Sequence, residues 1–212
     1  MSAISIKPMP RFYPIVDSVD WIRLLLPIGV RLVQLRVKDR PIEQVRREIR
    51  EARALCKHAG AQLVVNDYWQ LALDEGCDFV HLGQVDLDGA DIASLRHAGI
   101  RLGISTHSHE ELERALALEP DYVALGPIYP TLLKVMPWSP QGLERITEWK
   151  QRIGKTPLIA IGGLTVERLP GVFKAGADVA AVVTDIVKHP EPEGRTREWL
   201  LAAQPSLTAQ PS

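Results

Sequence analysis

Short runs of β-branched and other apolar residues recur along the chain, at 12–16, 32–36, 62–66, 79–82, 101–105, 122–125, 158–161 and 179–183. Between them lie stretches whose apolar positions return at helical spacing. The clearest is 42–59, where Ile42, Val45, Ile49, Ala52 and Leu55 predict one buried stripe beneath a face rich in Arg and Glu. Strands that alternate with helices need crossover connections and pair in parallel, and strands covered on both faces read as nearly continuous apolar runs. Eight such units predict an α/β fold, a single closed (β/α)8 TIM barrel. An open doubly wound sheet competes, but no GxGxxG fingerprint follows the first run. Gly60, Gly76, Gly99 and Gly176 each stand two or three residues ahead of a strand, where a glycine ends a helix in the left-handed conformation. The barrel domain is expected over 1–203, with 204–212 as a polar, flexible tail. The longest irregular stretch, 126–140, holds Pro127, Pro130, Pro137 and Pro140, which exclude a helix and suit a ligand-contacting loop.

Charge narrows the partners. With 25 basic and 26 acidic residues the net charge is −1, so no global field draws the chain to nucleic acid or to an anionic membrane. Small-molecule partners are expected, with room for assembly into a homo-oligomer. Cys56 and Cys77 lie far apart and lack metal-ligand spacing, which fits a reducing, cytoplasmic setting rather than a disulfide framework or a zinc site. No apolar leader opens the sequence, and no window approaches the roughly 18 consecutive apolar residues that span a bilayer.

In a barrel of this kind the chemistry gathers at the C-terminal ends of the strands. Read as one set, those ends carry Gln34, Arg36 and Lys38; Asn66 and Asp67; Gln84 and Asp86; Ser105, Thr106 and His107; and Thr131 and Lys134. The i, i+2, i+4 spacing of Gln34, Arg36 and Lys38 places two cations and an amide on one face of an extended chain, where ordinary surface ion pairs are the alternative. Asp67 and Asp86 fall on neighbouring strand ends, and two hard carboxylates with open positions suit magnesium carrying phosphate oxygens. Helix capping is the competing use of either aspartate alone, and Asp86 is expected just before a helix. Gly162–Gly163 after the seventh strand, with Val183 and Thr184 ending the eighth, would form a second phosphate pocket or a plain tight turn. His81, set between Val80 and Leu82, reads as a hydrogen-bonded core histidine. Neither His107 nor His109 has a nucleophile beside it in the manner of a hydrolytic triad. Tyr68 and Trp69 are expected to pack a helix start.

The motifs QLRVKD at 34–39, VND at 65–67, VHLGQVD at 80–86, LGISTH at 102–107, ALGPIYPTLLK at 124–134 and AIGGL at 160–164 occur in the order seen in thiamine-phosphate synthases. Together the chain resembles that family across nearly the whole barrel. The resemblance implies a magnesium-dependent transferase that joins a hydroxymethylpyrimidine diphosphate to a thiazole phosphate and releases pyrophosphate. It implies that Gln34, Arg36, Lys38, Asn66, Ser105 and Lys134 hold the pyrimidine diphosphate, with Lys134, Ser105 and Arg36 serving catalysis. It further implies that Asp67 and Asp86 hold Mg2+, and that Thr131, Gly163, Val183 and Thr184 hold the thiazole phosphate. The chain departs from the family at Leu133, where a threonine is usual; one neutral hydrogen bond to phosphate is worth on the order of 1 kcal/mol. The alternatives are a thiazole tautomerase-like isomerase, which does not need the cations and the acidic pair together, and a non-catalytic ligand-binding barrel in which Leu133 reports lost thiazole binding.

Overall fold

The computed structural model describes residues 9–131 and 139–205. Eight strands, β1 (Phe12–Val16), β2 (Leu32–Leu35), β3 (Gln62–Asn66), β4 (Phe79–Leu82), β5 (Arg101–Thr106), β6 (Tyr122–Leu125), β7 (Leu158–Ile161) and β8 (Val179–Val182), pair in parallel in sequence order. Pairing of β1 with β8 closes the ring. The expected (β/α)8 barrel is therefore present. Three strand ends differ from expectation by one residue: β2 stops at Leu35, β5 runs on to Thr106, and β8 stops at Val182. Arg36 is no longer in β2, yet its N–H still reaches the Val16 carbonyl at 2.7 Å, so the ladder frays at the mouth rather than breaking below it.

The helices between these strands are α1 (Val19–Ile28), α2 (Ile42–Ala59), α3 (Trp69–Asp74), α4 (Gln84–Leu87), α5 (Ile92–His97), α6 (His109–Leu116), α7 (Gly142–Ile153), α8 (Leu169–Lys174), α9 (Thr184–Val187) and α10 (Pro192–Ala202). Helix α2 has the predicted bounds, but its buried stripe is Val45, Glu48, Ile49, Ala52 and Cys56. Ile42, in the first turn, is 52% exposed, and Leu55 is half-buried. Glu48 is drawn into the stripe by accepting hydrogen bonds from the Val19 N–H (3.0 Å) and Arg40 (2.6 Å). All four glycines expected to end helices have positive φ. Helix α3 begins at Trp69 with Tyr68 at its cap, and both rings pack against the outer core, as expected.

Strand side chains alternate between two cores. The outer core fills the space between sheet and helices, while Tyr13, Ile15, Leu32, Val64, Phe79, Tyr122, Ala124, Ile159, Val179 and Ala181 fill the barrel interior. Fully burying one such side chain stabilises the fold by roughly 1.5–3 kcal/mol. At the closing seam, Phe12 stacks on Trp199 with ring centroids 5.4 Å apart. The Trp199 indole N–H donates to Asp185 at 2.7 Å, and Arg195 donates to the same carboxylate at 2.8 Å. The stack binds α10 to β1, and the two hydrogen bonds bind it to α9. Among the described residues, no helix is long and apolar enough to cross a membrane. Of the expected tail at 204–212, residues 206–212 lie outside the described residues.

Candidate active site

Parallel pairing aligns every strand's C-terminal end at one rim, where most of the predicted polar residues of β2 through β5 lie; Thr106 does not join them, because it is buried on the helix side of the sheet and accepts from the Trp149 indole N–H at 2.9 Å. The expected alternation of Gln34, Arg36 and Lys38 persists past the end of β2: Val37 is buried, and Arg36 and Lys38 are exposed. Gln34 differs from the other two. It is 2% exposed and lies inside the barrel, donating its amide N–H to the Tyr13 hydroxyl at 3.0 Å.

Lys38 forms an ion pair with Asp67, which follows β3 in a left-handed conformation (φ 63°). The Asp67 N–H donates to the His81 carbonyl at 2.9 Å, which fixes the turn. Asp86, expected just before a helix, lies instead within the four-residue α4, and its carboxylate accepts from the Gly83 N–H at the start of that helix, so it also serves the capping use weighed for it. Its carboxylate faces that of Asp67. Partial burial first, and then Asp67, push the Asp86 pKa above the ordinary carboxylate range, while Lys38 opposes the rise. Two carboxylates held this close repel each other, and a divalent cation would relieve that repulsion. Two hard carboxylates are a donor pair of the kind magnesium takes. Among the described residues, no group of three or more His, Cys, Asp or Glu side chains is placed to hold a metal.

Asn66 points into the barrel two residues beyond Val64 and is 4% exposed. Its side-chain amide nitrogen is buried with no hydrogen-bond partner, and so is the Gln84 amide oxygen. Gln84 uses its other end to donate to the Ser105 carbonyl at 2.7 Å. Buried orphans of this kind are rare away from ligand sites, because each costs roughly 1–3 kcal/mol.

On the opposite side of the rim, backbone hydrogen bonds from Ile128 to Ile161 (2.9 Å) and from Tyr129 to Gly162 (3.0 Å) join the loops after β6 and β7. This brings the 130–131 segment against Gly163, where an added β carbon would lie 2.5 Å from the Pro130 carbonyl oxygen. Gly163 also has φ 64°, so both space and backbone demand glycine. Val183 caps α9 and packs on the inner core, and Thr184 opens that helix. The four residues expected to form a phosphate pocket therefore lie on three adjacent loops. Arg168, which the sequence reading missed, adds a cation here: it donates to the Gly163 carbonyl and lies over the Tyr129 ring at 4.3 Å. Its location on a 3-10 turn after β7 gave no periodic signal. Lys134, Leu132 and Leu133 lie outside the described residues.

His107 pairs with Glu111 (2.8 Å) and His109 with Glu148 (2.5 Å), so both serve the N-terminal end of α6 and its packing on α7. His81 is buried, as expected of a core residue, but its Nε2 is 2.8 Å from Ser105 Oγ and its Nδ1 is 2.8 Å from the Tyr122 hydroxyl. Burial pulls its pKa down to about 4. It touches the site that its alternating apolar neighbours concealed in the sequence.

A model of the thiamine monophosphate synthase family matches residues 12–186. The thiamine-phosphate synthase of Rhizobium etli is 61% identical over 194 residues, covering 92% of this chain and 95% of that protein. That of Serratia proteamaculans is 47% identical over 188 residues, covering 89% of each. Among solved structures, thiamine phosphate pyrophosphorylase from Pyrococcus furiosus superposes with a TM-score of 0.79 at 26% identity, over 92% of this chain and 95% of that one. With the barrel, the rim and these relatives in agreement, the chain belongs to the thiamine monophosphate synthase family.

Proposed function

We propose that this chain is a transferase that condenses 4-amino-2-methyl-5-hydroxymethylpyrimidine diphosphate with 4-methyl-5-(2-phosphoethyl)thiazole, giving thiamine phosphate and pyrophosphate. The observation that carries this reading is the meeting of Lys38, Asp67 and Asp86 at one side of the rim, opposite a separate glycine-lined pocket at Gly163. Two anionic substrates need two such places. A thiazole tautomerase would have no use for the acidic pair.

In the reaction, the bond between the pyrimidine methylene carbon and the diphosphate oxygen breaks, and its electron pair leaves with the diphosphate. The thiazole nitrogen then forms the new bond with its own lone pair. No protein nucleophile is needed. Arg36 and Lys38 would stabilise the negative charge that grows on the departing oxygens, an interaction stronger in the transition state than in the bound substrate. Lys134 would join them by resemblance. Asn66 and Gln34 line the path to the barrel interior and would orient the pyrimidine, and Ser105 would donate a hydrogen bond to it. Thr131, Gly163, Val183 and Thr184 would hold the thiazole phosphate. Asp67 and Asp86 would hold magnesium, which supplies charge neutralisation at the diphosphate. The remaining protein task is to hold two substrates in line, which accounts for the absence of a strong general base among the described rim residues.

The test is to supply both substrates to the purified chain, with and without magnesium. Thiamine phosphate and an equal amount of pyrophosphate, formed only with magnesium, are expected. A folded chain that makes neither product would overturn the assignment. We further place the enzyme in the cytoplasm, where both buried thiols stay reduced.

A further inference from the structure

The barrel interior contains a continuous polar chain from one wall to the other. Gln34 Nε2 lies 3.0 Å from Tyr13 Oη, which lies 3.1 Å from Tyr122 Oη. Tyr122 Oη lies 2.8 Å from His81 Nδ1, and His81 Nε2 lies 2.8 Å from Ser105 Oγ. Gln34, Tyr13, His81 and Tyr122 are all buried, and a cavity of about 20 Å³ lies among these residues. That is room for one water-sized group.

Each hydroxyl in this chain has one proton to place, so the direction of one bond fixes the direction of the next. The Gln34 amide donates to Tyr13, whose own buried proton then has the Tyr122 oxygen as its acceptor within reach; in that direction Tyr122 donates to His81 Nδ1. His81 must then carry its proton on Nε2 and donate it to Ser105 Oγ. With its oxygen occupied by that donor, Ser105 directs its own proton toward the mouth. The opposite direction would have Ser105 give its proton to His81 and offer the site an acceptor instead.

We propose that His81 is a positioning residue for the transferase reaction: held by Tyr122 as the Nε2–H tautomer, it turns Ser105 into a fixed hydrogen-bond donor toward the pyrimidine substrate. This role rests on the function proposed above. It makes Gln34, Tyr13 and Tyr122 an orienting relay rather than inert core, and explains why a barrel interior carries two tyrosines whose hydroxyls face each other.

Nitrogen NMR of ring-15N-labelled histidine in the full chain without substrates tests the tautomer directly, with the loss of a signal in His81→Gln giving its assignment. The expected result is a protonated Nε2 and an unprotonated Nδ1; a protonated Nδ1 overturns the proposal. Turnover tests the coupling. His81→Leu and Ser105→Ala should each lower kcat/KM for the pyrimidine diphosphate by about tenfold, the scale of one lost oriented hydrogen bond, and the double variant should lose no more than either alone. His81→Gln, whose amide can still donate to Ser105, should recover much of the loss. Losses that multiply in the double variant, or no recovery with glutamine, would reduce His81 to a packing residue. If the wild-type chain makes no thiamine phosphate, the assigned reaction fails while the NMR result still decides the tautomer.

Discussion

Gly103 on β5 stands in register with Tyr122 on β6, and a β carbon on that glycine would collide with the Tyr122 ring at Cζ. The ring lies across the strand because its neighbour has no side chain. It also packs against Phe79, with centroids 5.4 Å apart, so it cannot retreat easily. Gly103→Ala should therefore cost about 3 kcal/mol, the upper range for overpacking a core. Chemical denaturation checks the value, and turnover should fall with it as Tyr122 leaves His81. A stability loss below about 0.5 kcal/mol would show that the ring shifts freely.

The Asp67–Asp86 pair predicts opposed effects on stability and activity. Because the folded pKa of Asp86 is raised, the folded chain binds its proton more readily than the unfolded chain does. This group's contribution then falls as pH rises through the carboxylate range. At neutral pH without magnesium, Asp86→Asn should melt at or above the wild-type temperature. The same variant should need more magnesium for half-maximal turnover. Unchanged magnesium dependence would remove Asp86 from the metal site.

His81 gives the opposite slope. Its folded pKa of about 4 lies below its ordinary value of 6.5, so between those values the unfolded chain takes up a proton that the folded chain refuses. Stability is intact above pH 6.5 and is lost as pH falls toward 4, by on the order of 3 kcal/mol in all. Denaturation of wild type and His81→Gln across this window should isolate that slope as their difference. Parallel curves for the two proteins would contradict it.

Gly163→Ala should act on the second substrate. The added methyl would press on the Pro130 carbonyl at 2.5 Å and force the backbone away from φ 64°. The segment around Tyr129 and Pro130 must then move away from Gly163. KM for the thiazole phosphate should rise about tenfold or more while KM for the pyrimidine diphosphate changes little, as expected where one substrate's binding energy is lost. An equal effect on both would place Gly163 outside that pocket.

The sequence made the barrel legible because each strand is covered on both faces and the longest helix, α2, presents a single apolar stripe. Those patterns located all eight strands and placed α2 within its observed bounds. The rim was legible for a different reason: a parallel ring puts the residues after every strand on one side, so Lys38, Asp67, Asp86 and Ser105 could be grouped without knowing any distance. What periodicity concealed was the inside of the barrel. Gln34 was grouped with Arg36 and Lys38 by spacing alone, though the end of the strand separates a buried amide from two exposed cations. His81 could be placed in the core, but its partners come from β5 and β6, and only closure of the ring brings them within hydrogen-bond reach. Ile42 shows the same limit on the outer surface, since it falls in the stripe by spacing and is exposed.

The seam between β1 and β8, with Phe12 stacked on Trp199, joins parts of the chain made early and late in synthesis. On the ribosome, β1 must wait with one edge open until β8 has emerged. Such long-range pairing is slow to form and leaves exposed strand edges in the meantime. The nascent chain therefore keeps an open strand edge until β8 appears, and pairing of that strand with β1 completes the ring.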